Sequence, residues 1–422
     1  MSQSIKLLLL QIFSIIMGLF SVFYVAGNIP PKFYALVGVY EVIAGLIRVF
    51  SSTGIETLAL RNILVLQEEN NKNKITEIVT LSIVTRVALA IALILPLLVY
   101  VTYMSNYKFD GMYLGLFTLM LISGMFIALN ESLILILKSF NNYVSAGVVH
   151  VSVNVLGKLV ALWIFHRMGF ELYISFVIIL PALVSLIMLL RLREYICIRT
   201  HYGWLKIKEI LKETRPFALS AYISYVYNLL DQLIVSLIFP PEILSSFTLA
   251  KRILAILRNV VSNIFDPLIQ SLVKYKFSHD ILMDKIHQIL DLNKRIFVVS
   301  LGALLTAGLF VEKVVIFLRL QSYPNLSVYI ITVLIGVLVL IHFKARHQIM
   351  LIFFRPRYNL QMSLVLALSS IIFFILLSSI STDLSLVYVP CSYLVLYLFG
   401  IRSVKPYGSL GNAIKKQIGL NI

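Results

Sequence analysis

The sequence has 422 residues, of which 60% are hydrophobic and only 13% are charged, and its formal net charge is +17. A chain this apolar does not keep a soluble surface wetted, so the composition excludes a soluble globular protein and predicts a membrane protein. The two cysteines, Cys197 and Cys391, are too few for a disulfide framework or a metal cluster, and we predict no metal and no cofactor.

Apolar stretches of about 20 residues, each long enough to cross a hydrocarbon core, recur about twelve times along the chain. We therefore predict an all-α, polytopic membrane protein with about 12 transmembrane helices, arranged as two six-helix lobes around a central cavity. The predicted spans cover residues 6–25, 33–52, 82–104, 113–137, 145–165, 171–190, 216–239, 243–269, 296–318, 326–343, 358–380 and 384–400.

The basic residues between the spans are distributed very unequally over the two sides of the membrane. One set of connections holds most of them, whereas the opposite set holds only Lys32, Lys108, Arg167 and Arg319. Because Lys and Arg are retained on the cytoplasmic side, both termini are predicted to be cytoplasmic. The same placement, in short segments between apolar runs, argues against nucleic acid as a partner.

The segment richest in basic residues, 191–215, lies at the middle of the chain. It separates a predicted N-terminal six-helix lobe, 1–190, from a C-terminal lobe, 216–400, which is followed by a basic cytoplasmic tail, 401–422. A weak internal repeat supports two lobes, because Glu41 and Arg48 in the second span and Lys251 and Arg258 in the eighth span are each seven residues apart. Seven residues are about two helical turns, so each pair lies on one helix face.

Several ionisable residues lie inside predicted spans, where a charge is costly and is expected to face a bundle interior or a wet cavity. The eighth span carries a polar stripe, and the fifth span places polar residues at successive fourth positions. The candidate substrate-binding residues are Arg48, Arg258, Lys251, Arg252, Lys158, Asn154 and Asn259.

Depth along each helix, at about 1.5 Å per residue, predicts how some of these charges meet. Asp231 and Lys251 lie at matched depth on either side of one short turn, so we expect an ion pair. Glu41 lies at a similar depth and is a second candidate for ion coupling or ion pairing. Near the cytoplasmic ends of spans three and four, Arg86 and Glu131 are predicted to form a structural ion pair.

For Arg48 and Arg258 the sequence offers no acidic residue at the same depth, which favours an anion of the cargo as their partner. Within the spans the cations outnumber the carboxylates, and electrostatic complementarity then favours anionic cargo. Arginine in particular presents a planar fork of donors that suits phosphate oxygens.

Four segments carry a resemblance to a known family: FSSTGIETLALRN at 50–62, RPFALS at 215–220, LDQLI at 230–234 and FTLAKR at 247–252. They resemble the loop after span two, span seven and the start of span eight in Wzx-type polysaccharide flippases, which share a superfamily with the multidrug and toxic-compound extruders. The twelve-span, two-lobe layout extends this resemblance over essentially the whole chain.

The resemblance implies a transporter, not an enzyme, that works by alternating access in the bacterial inner membrane. Its implied cargo is an undecaprenyl-diphosphate-linked O-antigen unit of lipopolysaccharide biosynthesis, moved from the cytoplasmic to the periplasmic leaflet. Membrane lipids, an O-antigen polymerase and a chain-length regulator are further implied partners. The family's cationic lumen maps onto Arg48, Lys251 and Arg258, and its acidic residue in span seven maps onto Asp231.

Two other functions compete with this one. An ion-coupled multidrug exporter has the same fold, but the excess of positive charge within the spans argues against it. An integral membrane O-antigen polymerase or acyltransferase is less consistent with the sequence, because the predicted outer connections are only about a dozen residues or shorter.

Overall fold

The computed structural model is all-α over the residues that it describes, as predicted. These residues are 17–52, 71–111, 113–140, 156–157, 159–196, 229–272, 279–353, 356–381 and 384–404, with isolated positions at 63, 66, 69, 212, 214, 219, 222 and 223. Within this part of the chain, one helix corresponds to each of the twelve predicted spans. The helices are α1 Met17–Ala26, α2 Pro31–Phe50, α3 Lys72–Tyr103, α4 Leu114–Ser139, α5 Leu159–Met168, α6 Phe170–Leu192, α7 Leu229–Ile238, α8 Pro241–Ser271, α9 His279–Phe317, α10 Leu326–Phe353, α11 Pro356–Ile380 and α12 Tyr388–Val404.

Length and composition make these helices suited to a bilayer. Over the described residues, seven helical stretches are individually long and apolar enough to span it. Large apolar side chains stand on their outer surfaces: Leu95 and Val99 of α3 are 76% and 73% exposed, and Leu309 and Phe317 of α9 are 82% and 84% exposed. Such exposure is unfavourable in water and is expected against lipid tails, so the chain is a multi-pass membrane protein.

Two helices begin at least ten residues earlier than their predicted spans. Helix α3 begins at Lys72, where the side chain of Asn71 accepts a hydrogen bond from the Lys74 backbone N–H at 3.2 Å. Helix α9 begins at His279, well before the span predicted from residue 296. In both cases the added turns are polar, so they continue the helix without adding to the apolar signal that defines a span.

The chain divides into two compact units, of which the first comprises Met1–Tyr225 and Ser236–Pro241. Its core forms where α2 and α3 pack on α4, and α4 packs on α6. One cluster of this core contains Val79, Leu133, Ile136 and Met188, all of them fully buried. Gly124 of α4 has no side chain and lets α2 approach closely, because a Cβ there would lie 2.6 Å from Cδ1 of Ile47.

The second unit comprises Val226–Val235 and Glu242–Ile422. Helix α10 packs against both α9 and α12, and α11 packs against α12. A buried aromatic cluster joins α8, α10, α11 and α12, in which Phe247 contacts Tyr329 and Phe374 edge-on, and Phe374 contacts Tyr388 in the same way. Two of its rings, those of Phe247 and Tyr388, also lie next to the ammonium of Lys251. The predicted lobe, linker and tail boundaries stay predictions.

Candidate functional site

The first unit contains a charged cluster formed by α2, α3 and α4. Glu131 of α4 forms ion pairs with two arginines: its Oε1 lies 3.4 Å from Arg48 and its Oε2 lies 3.3 Å from Arg86. The predicted contact between Arg86 and Glu131 is therefore present. The expectation that Arg48 has no acidic residue at its depth is wrong, because Arg48 lies in the last turn of α2, where the packing of α2 on α4 brings it to Glu131.

Arg86 also binds the backbone of two neighbouring helices. Its Nε donates to the carbonyl of Ala128 at 3.1 Å, and its Nη2 donates to the carbonyl of Arg48 at 2.9 Å. The carbonyl of Arg48 is among the last four of α2, which lack partners within an α-helix. Since the Arg86 side chain is only 3% exposed, this arginine joins three helices from inside the protein.

The second unit contains a different cluster, formed by α7, α8 and α12. Lys251 Nζ lies 2.6 Å from Oδ2 of Asp231, so the contact predicted from their matched depth is present. The hydroxyl of Tyr388 donates to the same carboxylate oxygen and accepts from Lys251 Nζ at 3.2 Å. The Asp231 and Lys251 side chains are 4% and 13% exposed, so the contact lies in a low-dielectric environment.

Neighbouring polar groups complete the surroundings of Asp231. Its Oδ1 accepts from the backbone N–H of Gln232 at 2.8 Å, and the Gln232 side chain donates to the hydroxyl of Thr248 at 3.2 Å. The ammonium of Lys251 also lies 6.0 Å from the ring centre of Phe247 and 5.9 Å from that of Tyr388. Both distances are within the range of a cation–π attraction.

Lys251 and Arg258 line the same small pocket in the second unit. Its volume is about 280 Å³, including the open space at its mouth. Hydroxyl groups of Ser392 and Tyr393 belong to its wall, together with apolar side chains of α8, α11 and α12. The described lining of this pocket therefore offers two cations and several hydroxyls, and it contains no carboxylate.

A second pocket of about 200 Å³ is lined by Asp231 together with apolar residues of α7 and α11. Two residues, Ser370 and Tyr388, belong to the walls of both pockets. Tyr388 therefore stands between the space next to Asp231 and the space next to Lys251 and Arg258. Tyr388 was not predicted from the sequence, since a tyrosine near the end of a span is typical of membrane interfaces.

The remaining predicted residues are placed only in part. Arg252 and Glu41 are both half-buried, on α8 and α2 respectively. Lys158 and Asn154 lie outside the described residues, and for Asn259 only the helical backbone is described. In the described part of the chain, no three His, Cys, Asp or Glu side chains come together as candidate metal ligands.

Comparison with solved structures shows the fold. The chain is similar to the lipid II flippase MurJ in an inward closed conformation, with a TM-score of 0.72 and 16% identity over 95% of this chain and 87% of that one. It is also similar to an inward-facing multidrug resistance MATE family transporter of the MOP superfamily, with a TM-score of 0.67 and 14% identity over 98% and 99% of the two chains. A mutant of the Vibrio cholerae MATE transporter VcmN gives a TM-score of 0.61 and 13% identity over 97% and 98%.

Sequence comparison shows the family. No curated protein sequence matches the chain. Residues 2–273, which are well over half of the chain, match the family described as polysaccharide biosynthesis protein. The chain therefore belongs to the polysaccharide biosynthesis protein family, with the all-α membrane fold that MurJ and the MATE transporters share.

Proposed function

We propose that this protein is a flippase that moves undecaprenyl-diphosphate-linked O-antigen repeat units from the cytoplasmic to the periplasmic leaflet of the bacterial inner membrane by alternating access. The observation that carries the proposal is the pocket in which Lys251 and Arg258 stand among hydroxyl and apolar groups. Family membership and the fold shared with a lipid II flippase support the same class of cargo.

The charge of this pocket favours an anion. An ammonium and a guanidinium next to hydroxyl donors suit phosphate oxygens, and a low-dielectric environment strengthens their attraction. An exporter of cationic drugs is expected to line its pocket with carboxylates, since electrostatic complementarity selects the substrate. The pocket next to Lys251 and Arg258 has the opposite sign.

The size of the pocket limits what it takes. The empty space of about 280 Å³ includes the open mouth of the pocket, so its enclosed part is smaller still and an oligosaccharide does not fit. One phosphate group of a lipid diphosphate is the part of the cargo that is small enough to enter the pocket. We infer that the sugars are held by fewer and weaker contacts, and that recognition depends on charge more than on sugar identity.

Arg48 stays in the proposal as a second phosphate-binding residue. In the described contacts, it shares the carboxylate of Glu131 with Arg86. A phosphate group of the cargo would supply a further anion to Arg48. Arg252, Lys158, Asn154 and Asn259 are further candidates for the same cargo, with Glu41 and Asp231 as candidates for ion coupling.

An ion-coupled multidrug exporter is the second candidate function. Asp231 favours it, because a carboxylate only 4% exposed is the type of group that binds a coupling ion or a cationic drug. In this protein, however, Lys251 already supplies a cation to that carboxylate at 2.6 Å. A drug-accumulation assay in cells that express the protein distinguishes the two functions.

The proposed orientation places both termini in the cytoplasm. Lys32 pairs with Asp110 at 2.9 Å, which is consistent with the start of α2 and the α3–α4 turn lying on one side of the membrane. Reporter fusions at Arg193 and Asp110 test the orientation, and we expect a cytoplasmic signal from Arg193 and a periplasmic signal from Asp110. The opposite result would invert the proposed topology and the direction of transport.

On the periplasmic side, an O-antigen polymerase and a chain-length regulator are the proposed next partners.

The decisive experiment measures surface O-antigen in a flippase-null strain that expresses variants of Arg258. We expect Arg258→Lys to keep partial activity, because it keeps the positive charge but loses the planar set of donors of the guanidinium. We expect Arg258→Ala and Arg258→Glu to lose activity. Lys294→Ala is the matched control, because Lys294 is 74% exposed and pairs only weakly with Asp291 at 3.3 Å. The amount of protein in the membrane is measured in parallel. Normal surface polysaccharide with Arg258→Glu contradicts the proposed function.

A further inference from the structure

The carboxylate of Asp231 receives hydrogen bonds of two kinds. One comes from a charged donor, Lys251, and two come from neutral donors, the Gln232 backbone N–H and the Tyr388 hydroxyl. The neutral donors are fixed, one by the backbone of α7 and the other by a ring packed edge-on against Phe374. Lys251 instead reaches Asp231 through a flexible side chain. The charged donor is therefore the one that a side-chain rotation can move without a change in the fold.

Lys251 has a second destination within reach. Its side chain lines the pocket that contains Arg258, whereas Asp231 lines the neighbouring pocket on the other side of Tyr388. An anion in the first pocket competes with Asp231 for the same ammonium. If Lys251 turns to that anion, Asp231 loses its counter-ion but keeps two hydrogen bonds.

We propose that Tyr388 is a positioning residue that holds the Asp231 carboxylate while Lys251 transfers its ammonium from Asp231 to a phosphate of the cargo. When the cargo leaves, the ammonium returns to Asp231. The inference rests on the proposed function, because it requires an anionic cargo. It adds a role for a residue of α12, which lies 157 positions away in the sequence from its partner.

The two contacts of the Tyr388 hydroxyl have opposite effects on the affinity for an anion in the pocket. As an acceptor it holds Lys251 near Asp231, at 3.2 Å, and as a donor it stabilises the carboxylate that Lys251 leaves behind. The second effect is the larger one, because a hydrogen bond to a carboxylate gains strength when the counter-ion departs, whereas the contact to Lys251 is long. Removing the hydroxyl is therefore expected to weaken anion binding.

The test measures binding of farnesyl diphosphate to the purified full-length protein in detergent by calorimetry, with farnesol as the uncharged control. We expect Tyr388→Phe to weaken binding of farnesyl diphosphate about fivefold and to leave farnesol binding unchanged. The substituted ring keeps its packing on Phe374 and its face toward Lys251. We expect Asp231→Asn to tighten binding of farnesyl diphosphate, because Lys251 then has no competing carboxylate.

The decisive comparison is Tyr388→Phe in the Asp231→Asn background. With no charged carboxylate to stabilise, the loss of the hydroxyl should change the affinity less than about twofold. If Tyr388→Phe weakens binding equally in both backgrounds, the residue is merely structural and the inference is overturned. If Asp231→Asn weakens binding instead of tightening it, the competition between carboxylate and anion is overturned.

A separate outcome identifies a failure of the proposed function itself. If the unsubstituted protein binds farnesyl diphosphate no better than farnesol, and Arg258→Ala changes neither affinity, the pocket takes no diphosphate and both proposals fail. If the unsubstituted protein binds the diphosphate and Arg258→Ala weakens that binding, the cargo class stands, and the two backgrounds then decide the role of Tyr388 alone. Thermal unfolding of each variant shows whether it is folded.

Discussion

The two charged clusters contain similar groups but hold them differently. In the first unit, Arg86 is bound to a glutamate and to backbone carbonyls of α2 and α4, so its position is determined by three helices. In the second unit, Lys251 binds through its flexible side chain to the side chains of Asp231 and Tyr388. Arg86 is thus a structural connection, whereas Lys251 is able to exchange one side-chain partner for another.

Burial separates the clusters in a second way. In the first unit the cation is the buried member, because Arg86 is 3% exposed and Glu131 is 35% exposed. In the second unit the anion is the more buried member, because Asp231 is 4% exposed and Lys251 is 13% exposed. A buried anion whose cation lines a second, cationic pocket suits exchange with a negatively charged ligand. A buried cation tied to the backbone suits stability.

The largest effect is expected from Arg86→Met. The substitution keeps the length of the side chain and removes all its donors, leaving two backbone carbonyls and Glu131 without their buried partner. Each buried carbonyl that loses its donor costs about 1 to 3 kcal/mol, so the two together cost several kcal/mol. We expect a large drop in the free energy of unfolding in mixed micelles and little folded protein in the membrane.

The control for this experiment is Lys294→Ala, whose exposed ion pair is expected to contribute less than about 1 kcal/mol. A stability close to that of the unsubstituted protein in Arg86→Met would contradict the structural role of Arg86. It would also remove the contrast between the two clusters.

The next effect concerns Asp231 and Lys251. Asp231→Asn leaves the ammonium of Lys251 in a largely buried position without its counter-ion, and we expect a loss of about 2 to 4 kcal/mol in the free energy of unfolding. Asp231→Asn combined with Lys251→Met removes both charges and should recover a large part of that loss. Unfolding of the two single variants and the double variant forms the cycle. Additive losses would show that the two residues do not stabilise each other.

Transport by the same variants sharpens the comparison. If Lys251 binds the cargo, the double variant should regain stability but not surface O-antigen. We therefore expect the double variant to transport no better than the worse single variant. Recovery of transport together with stability would show that the pair has only a structural role. Measuring unfolding and surface polysaccharide on the same samples separates the two results.

Much of the fold was predictable from the sequence because the signal is local. An apolar run of about 20 residues defines a span whatever it packs against, and each predicted span has its helix. The start of α9 at His279 was missed, because polar helical turns beyond the hydrocarbon carry no such signal. The contact of Asp231 with Lys251 was predictable for the same local reason, since one short turn joins α7 and α8.

The rest of the site depends on helix packing that one sequence does not reveal. Arg48 meets Glu131 because α2 packs on α4, and Tyr388 meets Asp231 because α12 lies next to α7. Depth along a helix indicates which residues are level, but it does not indicate which helices are neighbours. Tyr388 also carries no charge, so the search for costly charges within the spans did not include it.

A smaller effect is expected from two glycines that bring helices together. A Cβ at Gly336 would lie 2.8 Å from Cγ1 of Val389, next to Tyr388, and a Cβ at Gly124 would lie 2.6 Å from Cδ1 of Ile47. Valine is stiff at χ1, whereas the end of an isoleucine side chain turns at χ2. We therefore expect Gly336→Ala to cost about 1 to 3 kcal/mol and Gly124→Ala to cost less, although its contact is shorter.

The two glycine variants also differ in what they displace. Gly336→Ala pushes on α12 one residue beyond Tyr388, so farnesyl diphosphate should bind more weakly to it than to Gly124→Ala. Unfolding and calorimetry on both variants provide the measurement. An equal loss of affinity in the two variants would mean that the position of α12 does not govern anion binding.

The smallest effect on stability is expected from Glu131→Gln. Glu131 is one-third exposed, and Arg86 keeps its hydrogen bonds to the carbonyls of Ala128 and Arg48, so we expect a loss of about 1 kcal/mol or less. The effect on binding should have the opposite sign. The substitution removes the negative charge that Arg48 shares with Arg86, and if Arg48 binds a phosphate, the affinity for farnesyl diphosphate rises while that for farnesol does not. Unchanged affinity for both ligands would confine phosphate binding to the second unit, and Arg48 would then be grouped with Arg86 as a residue that serves stability.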